Sequence, residues 1–244
     1  MVGYKSDVGI KRKFNEDNLG YFECDLYRIY IVADGMGGHK AGEVASKMAV
    51  DSVIKFISEN INKFDDNVLE EAIKYVNLQI YNHSKDNDSL NGMGTTITAC
   101  LCYNNKVIVA NVGDSSCFGI KNNKIYKLTK DHSLVQQLLD AGSISEMEAM
   151  NHPNKNIITR AVGTSEEVDV DIFKFKIGEY DRYLICSDGL TNEVSVDKII
   201  SILNTEKDNK LASGKLVNEA NENGGRDNIT VMLFGGEIIW MGKY

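Results

Sequence analysis

Four separated apolar runs of this chain each carry an aspartate at one end, beside a glycine or an asparagine. They are Ile31-Val32-Ala33-Asp34-Gly35, Val109-Ala110-Asn111-Val112-Gly113-Asp114, Leu184-Ile185-Cys186-Ser187-Asp188-Gly189, and Gly225-Arg226-Asp227-Asn228 leading into Ile229-Thr230-Val231-Met232-Leu233. Runs of this length, rich in β-branched residues and bounded by turn residues, predict buried strands, so each carboxylate is expected at the rim of a sheet. If the strands are neighbours, the four acids converge. Two like charges about 4 Å apart repel by about 4 kcal/mol at an effective dielectric near 20, so such a cluster calls for cations. Singly, each acid is ordinary turn chemistry, since Asp-Gly and Gly-Asp are common turn pairs. Hairpins alone do not account for the Arg, Asn, Glu and Asp grouped upstream in Arg12-Lys13-Phe14-Asn15-Glu16-Asp17.

Several nucleophile mechanisms are excluded by spacing. No cysteine has an arginine six positions later, and neither G-x-S-x-G nor G-x-x-x-x-G-K-[ST] occurs. Metal-activated water remains. Oxygen ligands favour Mg²⁺ or Mn²⁺, and a bridging carboxylate can hold two ions about 4 Å apart around a shared water. Asp34 suits the bridge, because Gly35 and Gly37 remove side chains and let backbone carbonyls approach. Arg12 suits the anion, its planar fork matching a phosphate. Together these parts describe phosphoester hydrolysis.

The elements that must position these residues are legible in outline. Tyr27 to Ala33 predicts a strand, and Ala41 to Asn60 a helix with Val44, Met48, Phe56 and Ile57 near one face. A second helix, with Leu69, Ile73, Val76 and Ile80 recurring at three and four, takes Asp66 as its cap. Strands follow at Thr95 to Cys102, Lys106 to Val112, Ser116 to Ile120 and Lys124 to Leu128, turning at Asn104-Asn105 and Asn122-Asn123. Thr95 and Thr96 are explained by strand propensity. A polar insertion from Asp131 to Asn156 holds Ser133 and Ser145 as caps of short helices. Strands at Ile172 to Lys176 and Arg182 to Ser187 precede helices at Val196 to Leu203 and Leu211 to Asn221, and a strand at Asn228 to Phe234 ends the pattern. Strand runs and helix pairs are segregated, which favours stacked sheets flanked by helices over a doubly wound fold.

Length alone leaves one domain or two open; the single proline, Pro153, and the lack of any linker-like stretch resolve this toward one. A net charge of −8 with no basic run argues against a nucleic-acid partner. No apolar stretch approaches bilayer length and the start lacks a signal-peptide core, so no membrane contact and a cytoplasmic location are expected. Five cysteines without a C-x-x-C pair fit reduced, buried thiols.

Taken in order, Arg12 to Asp17, Val32-Ala33-Asp34-Gly35-Met36-Gly37-Gly38-His39, Gly94-Thr95-Thr96, Asn111-Val112-Gly113-Asp114-Ser115, Leu128 to Ser133, His152-Pro153, Asn156 to Gly163, Cys186-Ser187-Asp188-Gly189-Leu190 and Asp227-Asn228 span nearly the whole chain. In this the chain resembles the metal-dependent Ser/Thr protein phosphatases of type 2C, in their compact bacterial form. The resemblance implies an α+β fold, a four-layer α-β-β-α sandwich of two antiparallel sheets flanked by helix pairs. It implies one catalytic domain over residues 1-244, with the insertion at about 131-156 as a flap beside the cleft.

Residue by residue, the resemblance makes Asp34 the bridge between two metals, with the Gly35 carbonyl on one and Asp188 and Asp227 on the other. Arg12 binds the substrate phosphate; Glu16 and Asp17 hold metal-bound waters, with Asn228 and His39 beside them. Asp114 and Asp188 hold a third, weaker ion. Met36 stands where animal relatives place a histidine, and His83, His132 and His152 are given no catalytic role; Arg160 either pins the flap, the preferred reading, or simply snorkels. The expected function is metal-dependent hydrolysis of phosphoserine and phosphothreonine on proteins by a metal-bridged water or hydroxide, with Mn²⁺ or Mg²⁺. The expected partners are phosphorylated proteins, including a Ser/Thr kinase and its substrates, and the expected state is a monomer. Two alternatives stay open: a phosphatase dedicated to one regulatory phosphoprotein in an anti-sigma-type switch, and a pseudoenzyme that binds phosphoproteins without catalysis.

Overall fold

The computed structural model describes residues 1–37, 40–60, 63, 66–150 and 152–236. Eleven strands are described: β1 Gly3–Asp7, β2 Asp17–Glu23, β3 Tyr27–Met36, β4 Gly94–Thr95, β5 Ile97–Tyr103, β6 Lys106–Val112, β7 Ser116–Lys121, β8 Lys124–Lys127, β9 Asp171–Lys176, β10 Arg182–Cys186 and β11 Ile229–Gly235. The helices are α1 Lys40–Asn60, α2 Val68–Asp86, α3 Leu134–Asp140, α4 Glu146–Met150, α5 Asp188–Thr191, α6 Val196–Thr205 and α7 Asn209–Glu222, with a 3₁₀ turn at Asp88–Leu90.

The strands form two antiparallel sheets. The first runs β1-β11-β10-β7-β8; the second runs β2-β3-β5-β6-β9, with β4 added against the end of β3. Side-chain alternation along each strand decides which layer it faces. In β3, Ile29, Ile31 and Ala33 pack beneath α1 and α2, whereas Tyr30 and Val32 point into the space between the sheets. In β10 and β11, Leu184, Cys186, Val231 and Leu233 pack under α6 and α7, and Tyr183, Ile185, Met232 and Phe234 face inward. The result is the expected four layers, helix pair, sheet, sheet, helix pair. Because helices cover the outer faces, these strands are buried on both sides, which is why they read as continuous apolar runs rather than as alternating ones.

The hairpin turns at Asn104-Asn105 and Asn122-Asn123 have all four residues at φ between 49 and 61°, the left-handed pair that a two-residue hairpin needs. Ser133 caps α3 by accepting from the Gln136 N–H, and Ser145 accepts from the Glu148 N–H while the Glu148 carboxylate accepts from the Ser145 N–H and O–H. Two expectations need correction. Asp66 does not cap α2: Asn67 holds the cap position, its side chain making no capping bond to the helix, and Asp66 pairs instead with Lys106 at 2.6 Å and Lys174 at 3.6 Å. Two opposed lysines outcompete the weak field of one helix end. Of the five thiols, Cys100, Cys102, Cys117 and Cys186 are buried, but Cys24 is exposed in the turn between β2 and β3.

Candidate functional site

The four acids meet at one end of the sandwich, although not because their strands are neighbours. β10 and β11 adjoin in the first sheet, but β3 and β6 belong to the second and are separated there by β5. Convergence comes from the two sheets facing each other. Asp34, Asp114, Asp188 and Asp227 line a cleft of about 250 Å³ together with Arg12, Glu16, Gly35 and Asn228. Asn156 and Ile158, at the end of the 131–156 segment, form part of its wall. Asp17 stands opposite Asp34 in the β2–β3 register and is buried below it. His39 lies outside the described residues.

The backbone around Asp34 is tightly held. Thr96 Oγ1 accepts from the Asp34 N–H at 2.9 Å, and Thr95 Oγ1 donates to the Asp34 carbonyl at 3.0 Å. Thr96 and Ser115 then share a hydroxyl contact of 2.8 Å, linking the Asp34 and Asp114 segments. Strand propensity is therefore not the whole account of Thr95 and Thr96, whose hydroxyls buckle the site. At Gly35 a Cβ would lie 2.1 Å from the Gly42 carbonyl oxygen and 2.6 Å from that of Glu16, so only glycine fits.

Asn228 is a brace rather than a free polar group. Its Oδ1 accepts from the Glu16 N–H, and its Nδ2 donates to the carbonyls of Val8 and Phe14, which fixes the loop bearing Arg12 and Glu16. Arg12 Nη2 donates to Asp227 Oδ2 at 2.8 Å. Asp17 Oδ2 accepts from Ser187 Oγ at 2.8 Å, and Asp188 Oδ2 from Asn192 Nδ2 at 2.8 Å. Sequence reasoning missed Asn192; its only signal is the spacing of four from Asp188.

Burial, followed by the crowding of like charges, raises these carboxylates. Asp17 is pushed up to about 7, Asp114 to about 8 and Asp188 to about 6, and Asp34 lies well above the ordinary carboxyl range. The remaining oxygens, Asp17 Oδ1, Asp114 Oδ1 and Asp188 Oδ1, are buried without a hydrogen-bond partner. Such atoms are costly unless something neutralises them. Among the described residues, no three His, Cys, Asp or Glu side chains close around a single point. The described side chains lining the cleft offer carboxylate oxygens and no His or Cys, which suits a hard cation that keeps several waters rather than zinc. The residues therefore fit divalent ions of the Mg²⁺ and Mn²⁺ kind.

The insertion hangs from a short two-stranded base. Leu134 N–H donates to the Ile157 carbonyl and Thr159 N–H to that of His132. His132 is buried; its Nδ1 accepts from the Gly113 N–H at 3.0 Å, next to Asp114, and its Nε2 lies 3.1 Å from Asp171. Arg160 donates to Asp171 at 2.7 Å, so it pins the end of the insertion to β9.

Comparison with known proteins agrees in sequence and in shape. The family model for protein phosphatase 2C matches residues 10–217. The chain is 42% identical over 249 residues to the serine/threonine phosphatase stp of Listeria welshimeri, covering 98% of this chain and 97% of that one. It is 38% identical to protein phosphatase PhpP of Streptococcus pneumoniae, with 95% and 96% covered. A crystal structure of a bacterial serine phosphatase superimposes with a TM-score of 0.90 at 38% identity, over 97% of each chain. With this match along nearly its full length, and with the sandwich and acid-lined cleft described above, the chain belongs to the protein phosphatase 2C family.

Proposed function

We propose that the chain hydrolyses phosphoserine and phosphothreonine on proteins in a metal-dependent reaction, opposing a Ser/Thr kinase. The observation that carries this reading is the cleft where four aspartates from two facing sheets meet beside Arg12, with buried carboxylate oxygens left unbonded. Mn²⁺ or Mg²⁺ would supply Lewis-acid activation of water and of the phosphoryl oxygens. Asp34, with the Gly35 carbonyl, Asp188 and Asp227 would hold two such ions, and Asp114 with Asp188 a third. Arg12 orients the phosphate by its paired donors. Asp17, Glu16 and Asn228 fix the floor and rim of the cleft, so that little rearrangement is needed when charge develops on phosphate. Ile158 and Asn156 limit its water on one side.

Residues 1–244 act as one catalytic domain in this reading, with 131–156 as a flap that influences which phosphoproteins enter, and the chain works in the cytoplasm as a monomer. Among the described residues no helix is long and apolar enough to cross a membrane. The pseudoenzyme alternative is not favoured, because every acid of the set is in place. Phosphate release from phosphoserine and phosphothreonine peptides, measured with Mn²⁺, with Mg²⁺ and after chelation, tests the proposal. Release should depend on added ion; full turnover by a chelated sample overturns it.

A further inference from the structure

One ion pair close to the cleft joins two residues that do not line it, Glu193 and Arg226. Glu193 follows α5, five residues after Asp188, and Arg226 immediately precedes Asp227. Arg226 Nε donates to Glu193 Oε1 at 2.7 Å and Nη2 to Oε2 at 3.0 Å, and the Arg226 backbone N–H also reaches Oε1 at 3.3 Å. The pair is asymmetric: the Arg226 side chain is 66% exposed and that of Glu193 only 2%. A pair exposed on both sides is worth little, but a buried carboxylate held by a two-pronged guanidinium cannot lose its partner cheaply. Asn223 Nδ2 adds a bond to the Glu193 carbonyl at 2.9 Å.

The turn held by this clamp has little stiffness of its own. Gly224 and Gly225 are consecutive glycines at φ 145 and 51°, the residue type with the most backbone freedom to lose. Yet several parts of the cleft depend on where the turn lies. The Gly225 carbonyl accepts from the N–H groups of Ile10 and Lys11, directly before Arg12. Asn228 carries the bonds to Glu16, Val8 and Phe14. Next to Asp188, a Cβ on Gly189 would stand 1.9 Å from the Asn228 carbonyl oxygen, so the two segments are already in close contact.

We infer that Glu193 and Arg226 are positioning residues of the cleft: their clamp locks the 224–228 turn onto the segment after Asp188, setting Asp188, Asp227 and Arg12 in mutual register. The inference rests on the metal-dependent phosphatase reading and deepens it. Neither residue touches the reacting atoms, so the clamp acts on the affinity of the cleft for ions and phosphate rather than on the chemical step.

The test uses the full chain with Arg226→Gln, Arg226→Lys, Glu193→Gln and the double variant Glu193→Gln/Arg226→Gln, with Lys47→Gln on α1 as a surface control. Calorimetric titration of Mn²⁺ into stripped protein should show affinity weakened by about tenfold in Arg226→Gln and Glu193→Gln, the low end for groups that orient metal ligands. At saturating Mn²⁺, KM for p-nitrophenyl phosphate should rise while kcat stays near that of the parent. Arg226→Lys should recover part of both, because it keeps the charge and loses the fork. The double variant should be no worse than either single one, the mark of a shared interaction. Unchanged Mn²⁺ affinity and KM with only a lowered unfolding temperature in chelator would make the pair a structural brace and overturn the inference. If Arg226→Gln does not fold, Arg226→Lys and Glu193→Gln give the same readings. A parent protein that binds no Mn²⁺ overturns the phosphatase reading as well; a parent that binds, with variants that bind equally, overturns the clamp alone.

Discussion

The same three strands build two opposite kinds of environment. Toward one end, β3 carries Asp34 two residues before its close, β10 ends two residues before Asp188, and β11 begins two residues after Asp227; toward the other, they carry Tyr30, Tyr183 and Phe234. Tyr30 and Phe234 stack with centroids 3.7 Å apart at 11°, and Tyr183 and Phe234 at 5.4 Å and 7°. Four residues of β3, roughly 13 Å, separate the stacked rings from the acids. The rings at the aromatic end are buried and stabilise the sandwich by burial and ring contact. The acid end does the reverse, crowding like charges at a rim. The contrast teaches that the interior of the sandwich supplies the rigidity that the acid end consumes.

The comparison breaks if mutations at the two ends act alike. The largest effect is expected at the acid end, where Asp34→Asn, Asp188→Asn or Asp227→Asn should lower kcat/KM for phosphopeptides on the order of a thousandfold, about 4 kcal/mol. Steady-state kinetics at high Mn²⁺ measure this, and the unfolding temperature of the chelated protein should not fall with it. Phe234→Ala should show the opposite pattern, a loss of about 3–5 kcal/mol in denaturant unfolding with kcat/KM per folded molecule retained. A Phe234→Ala protein that is stable but inactive would join the two ends into one functional unit.

Smaller effects sharpen the acid end itself. Arg12→Ala should raise KM for a small phosphoester about tenfold with less change in kcat, and Arg12→Lys should recover only part. Unchanged KM would make Arg12 a partner of Asp227 and nothing more. Asp114→Ala should remove the weakest Mn²⁺ binding event from a calorimetric titration, leave the tighter ones, and reduce turnover severalfold, on the order of 1 kcal/mol. Equal stoichiometry and full activity would return Asp114 to simple turn chemistry.

The smallest effect concerns pH. Asp17, Asp114 and Asp188 titrate in the folded protein near 7, 8 and 6, chiefly because they are buried, above the roughly 4 of an unfolded carboxyl. Groups raised by folding stabilise it fully below the unfolded value, and the contribution is lost as pH rises through the folded values. The chelated protein should therefore melt at a falling temperature from about pH 4 up to about pH 8, and added Mn²⁺ should flatten that slope. A flat profile in chelator would mean the acid end is better solvated than its geometry implies.

Strands were legible because β-branched runs closed by Asn, Gly and Asp leave few other readings, and Lys106–Val112 shows this with both boundaries as expected. The acids were legible by type and by their place at run ends. Their meeting was read for the wrong reason, since no sequence pattern says which strands face one another across two sheets. Asp66 misled because capping is a local rule, whereas Lys106 and Lys174 reach it from distant strands. The roles of Thr95 and Thr96, and the grip of Glu193 on Arg226, were illegible for the same reason. Each depends on a partner brought from far along the chain.

The pairing of β1 with β11 has a consequence for how the molecule comes into being. Ser6 and Thr230 share a hydroxyl contact of 2.8 Å across 224 positions, and β11 follows the ten other described strands. During synthesis the second sheet can close once β9 has emerged, while β1 must wait beside an incomplete first sheet. Contacts of such long separation form slowly, and the waiting edge is open to misassociation. Asp227 arrives only with β11. A nascent chain therefore carries Asp34, Asp114 and Asp188 before it can bring the fourth acid to them, so the cleft is completed only after both sheets have been made.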